Sequence, residues 1–219
     1  MFQKTFFRYI ITGVLVHLLF CVSLVWADQE FDTLEYSLAS KKADLLSAQQ
    51  GMYKGMEQFG LTFGGGLGDT MWGTNENHDL ILGSVHYGQI LTEEQAKDTW
   101  YRGNWELMGE FVGAWQVNPN DSYFIGILPM LRYNFTVWGR AVPFLNIGAG
   151  IAYTDIGEPD LSTHFQFNSQ VGCGIHYFIT SDFAMTWQYR LLHISNAGIE
   201  EPNDGVNTHL FLLGLNWFY

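Results

Sequence analysis

The C-terminal stretch Trp187–Tyr219, WQYRLLHISNAGIEEPNDGVNTHLFLLGLNWFY, decides the fold. Two alternating runs flank a polar loop. Successive side chains of a strand point to opposite faces, so residues of one parity share a face. In the first run Trp187, Tyr189 and Leu191 share a parity with His193 and Ser195, while Thr186, Gln188 and Arg190 take the other. In the second, Asn207, His209, Phe211, Leu213, Leu215, Trp217 and Tyr219 form one row. A membrane barrel is apolar outside and polar within. The apolar rows therefore face lipid. They carry His193, Ser195 and Asn207 onto the lipid side, just past the last apolar residues.

The same alternation recurs upstream. Candidate strands lie near Phe59–Gly68, Asp79–Leu91, Gly103–Val117, Ser122–Val137, Val142–Thr154 and Thr163–Ile179, with the hairpin supplying the last two. Gly103–Val117 alternates best, with Trp105, Leu107, Phe111 and Trp115 on one face and Glu106, Glu110 and Gln116 on the other. Eight strands make a small barrel whose interior is filled by side chains. Arg132, Arg190, Glu106 and Glu110 all fall on inward parities. Buried charges need partners, so an internal ion-pair network is expected. The connections 69–78, 155–162 and 196–206 are long and polar, as external loops should be, and 137–142 and 178–182 are short, as periplasmic turns should be. The long 91–102 connection on the short-turn side has no explanation in the sequence.

Before the barrel, Lys4 and Arg8 precede an apolar run from Tyr9 to Trp26, and Ala27 offers a cleavage position. The expected organisation is a signal peptide over 1–27, a polar periplasmic lead-in over 28–55, and the barrel over 56–219. Removing the first segment takes the formal charge from −12 to −14, because it holds two basic residues and no acidic one. That balance argues against nucleic acid as a partner. Cys173 would then be the one cysteine left, so no intrachain disulfide is expected. It sits on an outward parity. Beyond the first segment no apolar run nears the roughly 20 residues of a spanning helix. Aromatics at 16% and 24 glycines suit a membrane β-barrel instead.

The hairpin carries chemistry. Ester hydrolysis needs a nucleophile, a base for its proton and a group that orients the base. Ser195 and His193 share a face two residues apart. Asn207, on the same parity of the next strand, can accept a hydrogen bond from the far nitrogen of His193 and so fix its tautomer. Asn196, with the backbone amides of Ala197 and Gly198, can supply oxyanion donors. His209 also lies on the lipid side, where it could meet a substrate phosphate or serve only as an interfacial residue. The histidines have no metal-ligand spacing, so no metal and no cofactor is expected. A His-x-Ser pair alone occurs in many proteins, so its context decides.

The string Tyr189–Gly198 (YRLLHISNAG), followed by Pro202–Asn207 (PNDGVN), resembles the C-terminal signature of the lipid A 3-O-deacylase (PagL) family. Pro143–Tyr153 (PFLNIGAGIAY) and Phe165–Phe178 (FQFNSQVGCGIHYF) are similar to upstream stretches of it. The resemblance covers most of the chain after the targeting segment, and its specific part is the His-Ser-Asn string. It implies an eight-stranded antiparallel outer-membrane β-barrel that removes the 3-hydroxyacyl chain ester-linked at position 3 of lipid A, without a metal. Its partners would be lipid A or lipopolysaccharide and the outer membrane itself. Residue by residue, it implies Ser195 as nucleophile, His193 as base, and Asn196 with Gly198 at the oxyanion. One position departs: the best-known members carry a glutamate where this chain has Asn207. Outer-membrane phospholipase A is similar in combining a His-x-Ser pair with an asparagine. A phospholipase A and a non-catalytic structural or adhesion barrel stay open as other readings. The exposed aromatic faces would permit a homodimer.

Overall fold

The computed structural model describes residues 52–219. The expected signal peptide and residues 28–51 of the expected lead-in lie outside the described residues. The strands are β1 (Glu57–Asp69), β2 (Asp79–Ile90), β3 (Gly103–Asn118), β4 (Ser122–Phe135), β5 (Ala141–Thr154), β6 (Phe165–Phe178), β7 (Phe183–Ser195) and β8 (Val206–Phe218). Each pairs antiparallel with the next, and β8 pairs back to β1, so the sheet closes and has no free edge. The first strand of the hairpin begins at Phe183, ahead of the Thr186–Trp187 start read from alternation. It runs directly out of the tight turn after β6, which has no room for more loop.

The strands are 12 to 16 residues long. A tilted membrane strand needs about 9–11, so these project past the bilayer and carry side chains into the interfacial zone. Outward positions are apolar and exposed, among them Phe63, Phe111, Trp115, Ile127, Ile147 and Val171. Cys173 is one of the exposed outward residues.

The interior is stacked in three layers. At the centre Arg190 Nη1 meets Glu110 Oε2 at 2.7 Å and Arg132 Nη1 meets Glu106 Oε2 at 3.5 Å, all four buried. Arg132 also lies over the Phe144 ring at 4.1 Å and donates to His176 Nε2 at 3.0 Å. Toward the long loops the interior turns apolar, with Leu80, Leu82, Phe124, Leu161, Leu192 and Ile194 in one cluster. At the opposite end Met52, Met56, Ile90, Val142, Phe178 and Phe218 form a second. Met52 belongs to the stretch read as lead-in, yet it is buried in the barrel mouth, where Asn104 Nδ2 donates to its carbonyl at 2.7 Å.

The long 91–102 connection is explained by what it touches. Arg102 pairs with Glu94 at 3.2 Å and donates through Nη2 to Thr136 O at 3.0 Å, and Thr136 Oγ1 donates to Glu94. The segment thus folds back against the β4–β5 turn instead of hanging free.

Candidate active site

Alternation along β7 buries Leu192 and Ile194 inside the barrel and leaves His193 and Ser195 half-buried on its outer wall. His193 stands directly across from Asn207 of β8. His193 Nδ1 and Asn207 Oδ1 are 2.8 Å apart. Asn207 keeps the outward parity but is fully buried, because the β1–β2 loop folds over it. Its Nδ2 donates to Met71 O at 2.7 Å and to Thr74 Oγ1 at 2.6 Å. The structure records no hydrogen bond between Ser195 and His193, so the serine and the His–Asn pair share a face without touching through one.

Two contacts shape the histidine. Trp72, in a short 3-10 turn (Met71–Gly73), sets its indole at 5.8 Å and 81° to the imidazole. Trp72 has φ 57°, a left-handed conformation that costs an L-residue about 1–3 kcal/mol. On another side lies Gly205, with φ 82°, where a Cβ would fall 2.9 Å from His193 Cε1. Only glycine suits both the backbone and the ring.

The loop after β7 treats the expected oxyanion donors differently from the sequence reading. Asn196 is buried and its Nδ2 donates to Ser162 Oγ at 3.1 Å and Glu200 O at 2.7 Å. Its Oδ1 accepts from Gly198 N at 2.9 Å and Ile199 N at 3.1 Å. The side chain of Asn196 and the amide of Gly198 are therefore engaged in building the turn. Of the three expected donors, the Ala197 N–H, between the other two at φ 59°, is the one with no acceptor among the described residues.

A second loop residue escaped the sequence reading. Asp160 Oδ1 accepts from Asn75 N at 2.6 Å and Asn75 Nδ2 at 2.9 Å, and Oδ2 from Glu76 N at 3.1 Å and meets His78 Nε2 at 2.9 Å. Its carbonyl accepts from Gly205 N at 3.1 Å. Asp160 thus ties the loop that carries Trp72 and Thr74, through its side chain, to the β7–β8 loop, through its carbonyl. Burial pushes the Asp160 carboxyl up, but the Asn75, Glu76 and His78 donors outweigh it and hold it below its ordinary value.

His193 also stands at the head of an apolar groove of about 630 Å³ on the barrel's outer wall. The groove follows from register. Gly109 pairs with Pro129, Ala149 with Ser169, and Ser169 with His193. Pro129 and Ala149 lie across the β4–β5 seam, where pairing lapses between Ile127–Ile151 and Met130–Gly148. Proline has no N–H for the ladder, so the lapse falls there. Pro129, Ala149, Ser169 and His193 line the resulting trough, and Gly109 continues their row onto β3. Leu107, Leu131, Ile147, Val171 and Leu191 line it along one side; by register the next outward row on the other side is Phe111, Ile127, Ile151, Phe167 and Ser195. Four strand steps at about 4.8 Å make it about 19 Å long.

A closed barrel with these residues on its lipid-facing wall falls, by comparison with known proteins, among the ester hydrolases of the outer membrane. The chain belongs to the lipid A 3-O-deacylase (PagL) family, whose model matches residues 83–216. Lipid A deacylase PagL of Pseudomonas aeruginosa is 24% identical over 124 residues, covering 50% of this chain and 68% of that one. Its counterpart from Bordetella bronchiseptica is 24% identical over 136 residues, covering 56% and 72%. Among solved structures, the outer membrane enzyme PagL superposes with a TM-score of 0.52 at 16% identity, over 72% of this chain and 97% of that one. Neisserial surface protein A gives 0.53 at 11%, over 75% and 96%. At such identities the two structures speak for the barrel alone.

Proposed function

We propose that this barrel removes the 3-hydroxyacyl chain ester-linked at position 3 of lipid A in the outer leaflet, with Ser195, His193 and Asn207 as its working residues. The observation that carries the reading is the 2.8 Å His193–Asn207 hydrogen bond on the lipid-facing wall, at the head of an apolar groove. With Nδ1–H donating to Asn207 Oδ1, the lone pair lies on Nε2. The acyl chain lies in the trough and its ester carbon sits over Ser195.

Side-chain rotation brings Ser195 Oγ to Nε2; such bonds are often long without substrate. Oγ attacks the carbonyl carbon as Nε2 takes the hydroxyl proton, and the C=O electrons move onto oxygen. The Ala197 N–H is the donor left for that oxyanion, a contact typically worth about 3 kcal/mol. Collapse re-forms the carbonyl and breaks the ester bond, and His193 returns the proton to the departing sugar oxygen. Water then attacks the acyl-serine with the same nitrogen as base, freeing the 3-hydroxy acid and Ser195.

Mass spectrometry of lipids from overexpressing cells tests this. The expected result is lipid A short of one hydroxyacyl chain and unchanged phospholipid, with lipid A intact in Ser195→Ala cells. Lysophospholipid beside intact lipid A would identify a phospholipase A instead. No change in either lipid, with the folded barrel in the membrane, would leave a structural or adhesion role.

A further inference from the structure

We propose that Thr74 is a positioning residue for His193, acting through Asn207. The proposal rests on the reading of His193 as base, although the geometry beneath it does not. Asn207 is fully buried, and both polar atoms of its side-chain amide have hydrogen-bond partners. One Nδ2 proton goes to Met71 O at 2.7 Å and the other to Thr74 Oγ1 at 2.6 Å. The Thr74 hydroxyl proton goes to Met71 O at 3.1 Å, leaving an oxygen lone pair for Asn207.

The proton bookkeeping allows one orientation of the amide. Turned over, it would press Oδ1 against Met71 O, acceptor on acceptor, and offer an N–H to His193. As built, Oδ1 faces the imidazole, so Nδ1 must be the protonated nitrogen and Nε2 the free one. A carboxylate at position 207 would place an oxygen against the Met71 carbonyl, so this loop suits an amide. Trp72, from the same turn, sits against the imidazole at 5.8 Å, so loop and base are held as one unit.

Thr74→Val keeps the shape and replaces the hydroxyl by a methyl. A methyl carbon cannot sit at hydrogen-bond distance from nitrogen; contact needs about 3.5–4.0 Å. Asn207 must withdraw by about 1 Å and draw its oxygen off His193, a displacement of the kind that costs about 10²-fold in rate. Thr74→Ser retains the oxygen.

The experiment pairs kinetics with ¹⁵N NMR of histidine-labelled protein in micelles. Wild type and Thr74→Ser should show the Nδ1–H form of His193 and similar kcat on lipid A. Thr74→Val should show a mixture with Nε2–H and a kcat lower by about 10- to 100-fold, with KM within about twofold. Heat-modifiable electrophoretic migration confirms that each barrel is folded. A Thr74→Val protein with the Nδ1–H form and wild-type kcat would overturn the proposal. If wild type deacylates nothing but its His193 tautomer depends on Thr74 as described, the positioning stands and the functional reading falls.

Discussion

The imidazole of His193 is confined from three directions: Asn207 at its Nδ1, the Trp72 edge, and the bare backbone of Gly205. Gly205→Ala would put a Cβ 2.9 Å from Cε1 and force an L-residue into φ 82°. Either the ring or the β7–β8 loop must move. We expect deacylation to fall by about 10²-fold while the barrel still shows folded, heat-modifiable migration; unchanged activity would mean the ring is not held there. The parity of Ser195, His193 and Asn207 was legible in the sequence because a strand repeats every two residues. Thr74 and Trp72 were not, since Thr74 meets Asn207 across 133 positions of chain. No local pattern encodes such a contact. Asn196 and Gly198 show a related limit. Their residue types suit an oxyanion site, but the turn takes their donors first.

The trough is a property of strands in register. Pro129 takes one ladder donor out of β4, and the sequence by itself does not say which residues it faces. Gly109, Ala149 and Ser169 are small residues far apart in the chain, and only strand pairing brings them into one row with Pro129. Gly109 pairs with Pro129 of the trough and faces open space, so a larger side chain there can reach over the trough's β3 end without disturbing the barrel. Gly109→Phe should shorten the acyl chain that the protein accepts without abolishing turnover on short chains, as read from the fatty acids released from lipid A variants. An unchanged chain-length profile would remove the trough from the acyl site. The loops obey a different element-level control. Asp160 is held below its ordinary value, about 3.9, so its tie to the β1–β2 loop is fully present above that value and is lost only as pH falls through the lowered one. The Asn75 and Glu76 amides should therefore resist hydrogen exchange from neutral pH down to about 4. At least one of the two should exchange freely at every pH in Asp160→Asn, which keeps one acceptor oxygen and turns the other into a donor facing donors. Equal protection in the two proteins would contradict the tie.

Residues 52–219 form a closed barrel whose interior is filled by side chains. Apolar clusters close both ends and the paired charges fill the middle. Closure, strand number and inward charges could all be read from alternation; the apolar caps could not, because inward leucines near the loops look like breaks in the polar row. Glu110→Ala would leave Arg190 buried without its carboxylate partner, and should lower stability in denaturant titrations by about 3–5 kcal/mol. A loss under about 1 kcal/mol would instead class the pair with exposed ones. On the proposed reading the chemistry takes place on the outer wall, where the serine and the His–Asn pair share a face. The most direct test is the rate at which purified Ser195→Ala barrel releases 3-hydroxy acid from lipid A. A fall of at least about 10³-fold, with the folded barrel retained, is predicted; release at the wild-type rate would contradict the assignment of Ser195 as nucleophile.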